Sequence, residues 1–284
     1  MIIYMSYVIT EQILEDYKEY LIEEEKSKAT IDKYICDIRK LMNYANGQEI
    51  TRKLMLDFKE NLRVDKGYKL SSINSFLIAA NRLFDYLGWY GFNVKLYHIQ
   101  NDAFAPEKID LSIQEYKKLV MVAWYKGNKR LAMIIQTLCS MGLRISELNF
   151  MEVESIKKGE VEIYCKGKQR KAIIPEGLRK LLLEYIRENN IQSGVVFCTS
   201  SGKPVDRSNI WREMKELREE AGVRKEKIFP HNLRHLFAKT FYESNKDIAK
   251  LADILGHSSI ETTRRYIMTT YEEHKKQIDS LGLV

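Results

Sequence analysis

Residues 231–266 read HNLRHLFAKTFYESNKDIAKLADILGHSSIETTRRY, and this stretch decides the interpretation of the whole chain. His231 and Arg234 are three residues apart, so both fall on one face of a predicted helix. Gly256 can end the preceding helix, because glycine adopts the left-handed conformation without strain. The turn would project His257, and Tyr266 would follow about two turns along a new helix.

The polar residues of this stretch also have ordinary explanations when each is taken alone. Ser258 and Glu261 have the spacing of a capping box at the start of the last helix. His231 and His235 have the spacing of a helical zinc pair, but an HExxH glutamate is absent. Arg234 lies between them, and a fixed cation opposes the binding of a dication. The sequence therefore argues against zinc.

A second polar cluster lies upstream, where residues 142–148 read GLRISEL. A helix is predicted over about residues 128–141, and Gly142 is placed to end it. Arg144 follows in the turn and could simply pair with Glu147, as surface charges three residues apart often do. Alone, this cluster does not distinguish a functional site from a surface ion pair.

A predicted β-hairpin follows this cluster. Residues 160–165 and 171–175 are short runs typical of strands, and the basic sequence KGKQR joins them at 166–170. We therefore expect a hairpin with a cationic tip. A third short strand is predicted over residues 195–198.

The first hundred residues predict a small bundle of four amphipathic helices. Apolar residues recur at helical spacing over about residues 11–25, 30–45, 51–63 and 71–87. Thr30 is the predicted N-cap of the second helix, and Gly47 is placed to end it. For the fourth helix, Ser71 or Ser72 is the predicted cap, and Gly88 follows its end.

The helical periodicity is lost over residues 89–110, where the domain linker is predicted. We expect one domain over residues 1–104 and a second over residues 105–284. Ser112 and Glu115 predict a capping box at the first helix of the second domain.

Composition sets broad limits on the function. The chain has 284 residues, and 46 Lys and Arg against 39 Asp and Glu give a net charge of +7, which suits a polyanionic partner but does not prove one. The cysteines form no CxxC pair, which argues against zinc ribbons and fits a reducing cytoplasm. The N-terminus does not resemble a signal peptide, and no apolar run suits a membrane helix. A soluble cytoplasmic protein is therefore expected.

Taken together, the motifs and their order resemble the phage integrase family, also called tyrosine recombinases. The resemblance covers nearly the whole chain. It implies a mainly α fold with a small β-sheet. The N-terminal part would be a four-helix core-binding (SAM-like) DNA-binding domain, and the remainder a mixed α/β tyrosine recombinase catalytic domain.

The resemblance also implies a set of catalytic residues: Arg144, Lys166, His231, Arg234, His257 and Tyr266. Tyr266 matches the nucleophile of the family. The turn before Pro175 is one residue longer than usual, so Lys168 is a rival to Lys166. Tyr271 is a rival nucleophile, but its distance from His257 does not match the family spacing.

The implied reaction breaks a DNA phosphodiester and holds it as a covalent 3′-phosphotyrosine, so that resealing needs no ATP. The two arginines would stabilise charge on the phosphate oxygens. His231 would take part in proton movement at Tyr266, and His257 would donate a hydrogen bond to the phosphate. Lys166 would protonate the departing 5′ oxygen. No metal or cofactor is implied, so activity in EDTA is expected.

The implied partner is a double-stranded DNA recombination site, bound by a homotetramer on two duplexes through exchange of C-terminal helices. Ile278, Leu281 and Leu283 are the candidate anchors of that exchange, although the tail could also fold back on its own domain. Arg82 and Lys69 are candidate DNA contacts, but either could be an ordinary solvated charge.

Other classes of function fit the sequence less well than recombination. A non-catalytic DNA-binding relative is disfavoured because every catalytic residue type is present. The small helical N-terminal bundle favours recombination over a DNA-relaxing topoisomerase. A metal-dependent nuclease would need clustered carboxylates, which the sequence lacks. The sequence names neither the target site nor the biological setting, whether chromosome dimer resolution, phage integration or transposition.

Overall fold

The chain folds into two compact units, Met1–Asn101 and Asp102–Val284, in a computed structural model. The structure describes residues 6–99, 110–165, 168–199, 201–268, 275 and 278–282. The predicted domain boundary between residues 104 and 105 lies outside the described residues and stays a prediction. Described helices and the small sheet confirm the predicted mainly α class.

The first unit is built from four amphipathic helices, as predicted. They are α1 Glu11–Glu23, α2 Lys28–Ala45, α3 Arg52–Arg63 and α4 Leu70–Leu87, followed by a short 3-10 helix at Tyr90–Phe92. Leu14, Ile38, Met55 and Leu77 each point inward and are fully buried. Burying such a side chain contributes about 1.5–3 kcal/mol, and this shared core holds the bundle together.

The caps of α2 differ from those predicted. Ser27, not Thr30, is the N-cap, and its hydroxyl accepts a hydrogen bond from the backbone N–H of Thr30. Thr30 is therefore already inside the helix, which begins at Lys28. At the other end, Asn46 takes the left-handed cap position that was predicted for Gly47. Asparagine tolerates this conformation, so the helix stops one residue earlier.

The start of α4 also differs from the prediction. Neither Ser71 nor Ser72 is its N-cap, because the helix begins at Leu70 after Lys69, which provides no side-chain cap. Gly88 ends the helix in the left-handed conformation, as expected.

The second unit contains a larger helical core beside a two-stranded sheet. Its elements are α5 Ile113–Tyr125, α6 Lys129–Met141, a 3-10 helix at Ile145–Phe150, α7 Val153–Lys158, β1 Glu160–Cys165, β2 Lys168–Ile173, α8 Glu176–Glu188, α9 Arg207–Glu216, α10 Arg218–Ala221, a 3-10 helix at Lys225–Lys227, α11 Pro230–Asn245, α12 Ile248–Leu255 and α13 Ile260–Ile267. Helix α6 is central and packs against α5, α8 and α11. The predicted capping box of Ser112 and Glu115 is present, and Gly142 ends α6.

The turn of the hairpin is shorter than predicted. Strand β2 begins at Lys168, so residues 168–170 pair with β1 instead of forming the turn. On the exposed face, the Gln169 side chain donates to the Tyr164 hydroxyl, which in turn donates to Glu162. The bond between Gln169 and Tyr164 crosses the two strands near the tip of the hairpin and supports their pairing there.

The predicted third strand over residues 195–198 is wrong. Val195 forms only an isolated bridge with Glu152, and Cys198 forms another with Pro204. The two ends of this segment pair with different parts of the chain, so no continuous ladder develops.

The start of α13 also differs from the prediction. Ser259, not Ser258, is the N-cap, and its hydroxyl accepts from the backbone N–H of Glu261.

Beyond α13, Ile278 and Leu281 are exposed, and Leu283 lies outside the described residues. In the described part of the chain, no helix has the length and apolar character needed to cross a membrane.

Candidate active site

Five of the six sequence-predicted site residues converge in the second unit. Arg144 precedes the 3-10 helix Ile145–Phe150, His231 and Arg234 lie on α11, His257 follows α12, and Tyr266 lies on α13. The sixth, Lys166, lies outside the described residues. Its rival Lys168 opens β2, but the structure does not describe the Lys168 side chain.

Arg234 is at the centre of the site and is fully buried. Its Nη1 donates to the carbonyl of Gly142 at 2.7 Å, and its Nη2 donates to the carbonyl of Leu255 at 2.8 Å. Burial, with the charge of Arg144 as the next cause, lowers its pKa to about 10. Arg234 therefore remains a cation at neutral pH, and two backbone oxygens fix its direction.

Gly142 is required by close packing as well as by conformation. Its φ is +60°, and a Cβ at this position would lie 2.4 Å from the ring of Phe237. Any larger residue would push the chain away from α11, which carries Arg234. The glycine thus brings the end of α6 close enough for its carbonyl to accept from the guanidinium.

Glu147 is a buried carboxylate that binds several arginines. Its side chain accepts hydrogen bonds from the backbone N–H and the Nη1 of Arg144, at 2.8 and 2.9 Å. It also accepts from Nη2 of Arg170 at 2.8 Å, and Nη1 of Arg234 lies 3.9 Å away. The simple Arg144–Glu147 pair considered from the sequence is therefore present, but as part of a network. That network offsets the mutual repulsion of the clustered cations.

Sequence reasoning missed Arg170 as a member of this cluster. It lies on β2 opposite Ile163, and it shares the inward face with the buried Ala172. Its Nη1 donates to the carbonyl of Ile254 at 2.8 Å, and its side chain crosses Gly256. The period-two alternation of β2 could have identified it, had the strand been predicted to start at Lys168.

His257 lies between Arg234 and α13. Its Nε2 is 2.8 Å from Nη2 of Arg234, and its Nδ1 is 2.8 Å from Oγ1 of Thr263. Burial, followed by the positive charges of the neighbouring arginines, lowers the pKa of His257 to about 4. The imidazole is therefore neutral at physiological pH.

Tyr266 is buried among histidine rings. Its hydroxyl lies 3.3 Å from Nε2 of His231, and its ring is stacked on His257 with centroids 5.4 Å apart. The ring of His235 is 4.3 Å from that of Tyr266, again between centroids. Burial lowers the pKa of His231, and the positive charges of Arg234 and Arg144 lower it further. A neutral His231 can accept the phenolic proton.

An open cleft of about 640 Å³ lies beside these groups. It is lined by Arg144, Arg170, His257, Ser258 and Thr262, among others. Cationic and hydroxyl side chains that face an open cleft suit a phosphate-bearing ligand. Among the described residues, no group of three or more His, Cys, Asp or Glu side chains could hold a metal ion. The arrangement can bind an oxyanion and deprotonate a tyrosine with protein groups.

Comparison with known proteins gives a consistent result. Residues 110–273 match the phage integrase family, and residues 14–91 match the phage integrase N-terminal SAM-like domain. The chain is 32% identical over 282 residues to tyrosine recombinase XerA of Pyrococcus furiosus, covering 96% of this chain and 95% of that protein.

Solved structures share the fold at lower identity. The XerH site-specific recombinase bound to a palindromic difH substrate superposes with a TM-score of 0.74 at 20% identity, covering 94% of this chain and 83% of that one. A lambda integrase tetramer bound to a Holliday junction superposes with a TM-score of 0.71 at 17% identity, covering 90% of this chain and 76% of that one.

Proposed function

This chain belongs to the phage integrase family and is a site-specific recombinase that cleaves and rejoins DNA, and from that premise we propose that Tyr266 is its nucleophile. One observation carries the proposal: the buried Tyr266 hydroxyl lies beside a neutral imidazole at the edge of an arginine cluster. Attack on a phosphodiester would give a covalent 3′-phosphotyrosine and a free 5′ hydroxyl. We assign the catalytic domain to residues 105–284 and the core-binding domain to residues 1–104.

The arginines are assigned to the phosphate. Arg144 is partly exposed to the cleft, whereas Arg234 is buried and held by backbone carbonyls. Their planar guanidinium groups donate paired hydrogen bonds to non-bridging oxygens, which gain negative charge during attack. Because Arg234 is already oriented, little reorganisation is needed when that charge develops.

His231 is assigned to the proton of Tyr266. A phenol has an ordinary pKa of about 10, so attack at neutral pH needs a base. His231 is within reach of the hydroxyl and is kept neutral by its surroundings. When the strand is rejoined, the same imidazole would return the proton to the departing phenolate.

Lys166 is assigned to the leaving group, on the basis of its position in the sequence between the segments that form β1 and β2. An ammonium can protonate the departing 5′ oxygen. This role predicts that Lys166→Ala is rescued by a substrate with a bridging sulfur, because a thiolate leaves without protonation. The same pair of measurements with Lys168→Ala distinguishes the two lysines.

We propose that the partner is a double-stranded DNA recombination site in the cytoplasm. Full recombination would use a homotetramer on two duplexes, linked by exchange of C-terminal segments. The tetrameric state of the lambda integrase structure, which shares this fold, supports the assembly. The exposed Ile278 and Leu281 are suitable anchors, because removing their apolar side chains from water against a partner is favourable.

The test uses nicked suicide DNA substrates drawn from the genomic sequence that flanks the gene. Wild-type protein, Tyr266→Phe and Tyr271→Phe are compared in EDTA on denaturing gels. We expect a covalent protein–DNA band with the wild type and with Tyr271→Phe, and none with Tyr266→Phe. A band that persists in Tyr266→Phe would refute the assignment, and strict dependence on a divalent ion would refute the metal-free mechanism.

A further inference from the structure

Thr263 contacts the catalytic centre although no motif of the sequence singled it out. It lies on α13, one turn before Tyr266, and its side chain is fully buried. Its Oγ1 is 2.8 Å from Nδ1 of His257, the ring nitrogen that faces away from Arg234. The question is what this hydroxyl does for the imidazole.

The partners of His257 determine where its proton lies. The guanidinium of Arg234 has only hydrogen-bond donors, so at 2.8 Å the facing Nε2 of His257 must accept with its lone pair. A neutral imidazole carries one proton, which is then on Nδ1. Nδ1–H then donates to Oγ1 of Thr263, because a hydroxyl oxygen can accept a hydrogen bond.

We propose that Thr263 is a positioning residue that, together with Arg234 at Nε2, keeps the single proton of His257 on Nδ1, so that Nε2 faces the phosphate site. This inference rests on the proposed function, since it concerns the same phosphate. In the DNA-free protein, Nε2 accepts from Arg234 and holds that guanidinium in place. His257 is therefore an acceptor before DNA binds.

The same arrangement decides where a second proton enters. When a phosphodiester binds, Nη2 of Arg234 can keep its bond to the carbonyl of Leu255 and exchange its hydrogen bond to His257 for one to a phosphate oxygen. Nε2 can then take a proton from solvent and donate it in a hydrogen bond to the phosphate, while Nδ1 stays bound to Thr263. The low pKa of His257 without DNA agrees with this order, because only an added negative charge would favour the imidazolium.

The charged and titratable groups that surround His257 come from several elements. They are Arg234 from α11, Arg144 and Glu147 from the segment around Ile145–Phe150, Arg170 from β2 and Tyr266 from α13. None of these groups contacts Nδ1 in a described hydrogen bond, whereas Thr263 does. Thr263 thus supplies the acceptor at Nδ1, which the arginines do not occupy, while Arg234 supplies the donor at Nε2.

The experiment measures the tautomer directly in the full-length, DNA-free protein. Long-range ¹⁵N–¹H correlation spectra of the histidine rings identify the protonated nitrogen, and His257→Gln assigns the signal. We expect wild type and Thr263→Ser to carry the proton on Nδ1. Thr263→Val removes the acceptor, so a larger fraction should carry the proton on Nε2.

Cleavage of a suicide substrate is measured in parallel. Thr263→Val should cleave about tenfold more slowly, because either tautomer then lacks a hydrogen bond. With the proton on Nδ1 a buried N–H is unpaired, and with the proton on Nε2 the guanidinium of Arg234 loses one of its acceptors. Thr263→Ser should recover most of that rate. Thr137→Val is the matched control, since Thr137 is also fully buried and its Oγ1 has no partner among the described residues. It should change neither the tautomer nor the rate.

The outcomes separate this inference from the proposed function. A wild-type His257 with its proton on Nε2 would overturn the inference, and so would a Thr263→Val protein that cleaves at the wild-type rate. The wild-type spectrum can overturn the inference in this way even if Thr263→Val does not fold. Failure of the wild type to form any covalent DNA complex would instead count against the proposed function, because the spectrum does not depend on cleavage.

Discussion

The hydroxyl of Tyr266 and Nε2 of His231 lie 3.3 Å apart and connect α13 to α11. Both residues are held by their own helices, and the ring of His235 packs on the phenol from the same face of α11. The proposed nucleophile and its proton acceptor are therefore aligned before DNA binds. This reduces the ordering that the reaction must later supply.

The pH dependence of cleavage tests this pair. His231 must be neutral to accept the phenolic proton, and its surroundings lower its pKa below the ordinary value of 6.5. The cleavage rate should therefore be constant near neutral pH and fall as the pH drops through that lowered pKa. Single-turnover rates on a suicide substrate measure this profile. His231→Gln should be slow and should lack this acid limb; an unchanged limb would assign it to another group.

Arginine-to-lysine changes should separate catalysis from folding. Arg234→Lys leaves the carbonyls of Gly142 and Leu255 without a common donor in a buried site, so we expect a loss of stability of about 2–4 kcal/mol as well as of cleavage. Arg144 is partly exposed, so Arg144→Lys should reduce cleavage with a change in stability below about 1 kcal/mol. Urea unfolding and covalent-complex formation provide the two readouts. Equal stabilities would contradict the structural role of Arg234.

Removing the charge of Glu147 should destabilise the second unit. Glu147→Gln leaves buried arginines without their counter-charge, and we expect a cost of about 3 kcal/mol in the free energy of unfolding. Glu213→Gln is the matched control, because Glu213 binds Arg130 at 3.0 Å away from this cluster and is less buried. We expect about 1 kcal/mol there. Similar costs for both variants would show that the network adds nothing beyond an ordinary ion pair.

Two glycines with the same backbone conformation should respond differently to alanine. Gly256 and Gly222 have φ of +64° and +61°, so each substitution costs about 1 kcal/mol in backbone strain. A Cβ at Gly256 would also lie 2.3 Å from Cδ of Arg170, whereas a Cβ at Gly222 meets no atom within 4 Å. Gly256→Ala should therefore lose additional stability and slow cleavage. Thermal unfolding and suicide-substrate rates compare the two, and equal effects would exclude a role for Arg170 packing.

Deletion of residues 276–284 tests the proposed assembly. The truncated protein should still form the covalent complex on a single duplex, because the described catalytic groups end at Tyr266. It should fail to assemble tetramers and to complete strand exchange. Native gels and a two-plasmid recombination assay measure these steps. Normal recombination by the truncated protein would remove tail exchange from the mechanism.

Local sequence signals predicted most of the helices and the approximate positions of the motif residues. Apolar periodicity located the bundle helices, and the pairing of Ser112 with Glu115 was correct because a capping box depends only on neighbouring residues. The N-caps of α2, α4 and α13 were wrong. Ser27 and Ser259 are polar residues near the predicted caps, and local sequence does not choose between such candidates. Helix α4 begins without a side-chain cap, so no polar residue marks its start.

The interior of the site was less predictable because it depends on long-range contacts. Arg170 was assigned to the basic turn of the hairpin, yet it lies on β2 and binds Glu147 and the carbonyl of Ile254. Thr263 was indistinguishable from its neighbour Thr262 until the position of His257 was known. Such partners follow from how α12, α13 and the hairpin pack together.

The two carbonyls that hold Arg234 have a consequence for when the chain can become reactive. They belong to residues that are 92 and 21 positions away along the chain. The guanidinium is thus oriented only after α6, α11 and α12 have all docked, and Tyr266 comes later still during synthesis. A nascent chain that ends before Tyr266 lacks the nucleophile, and a chain in which α6, α11 or α12 has undocked lacks the oriented guanidinium. Neither can assemble the proposed reactive centre.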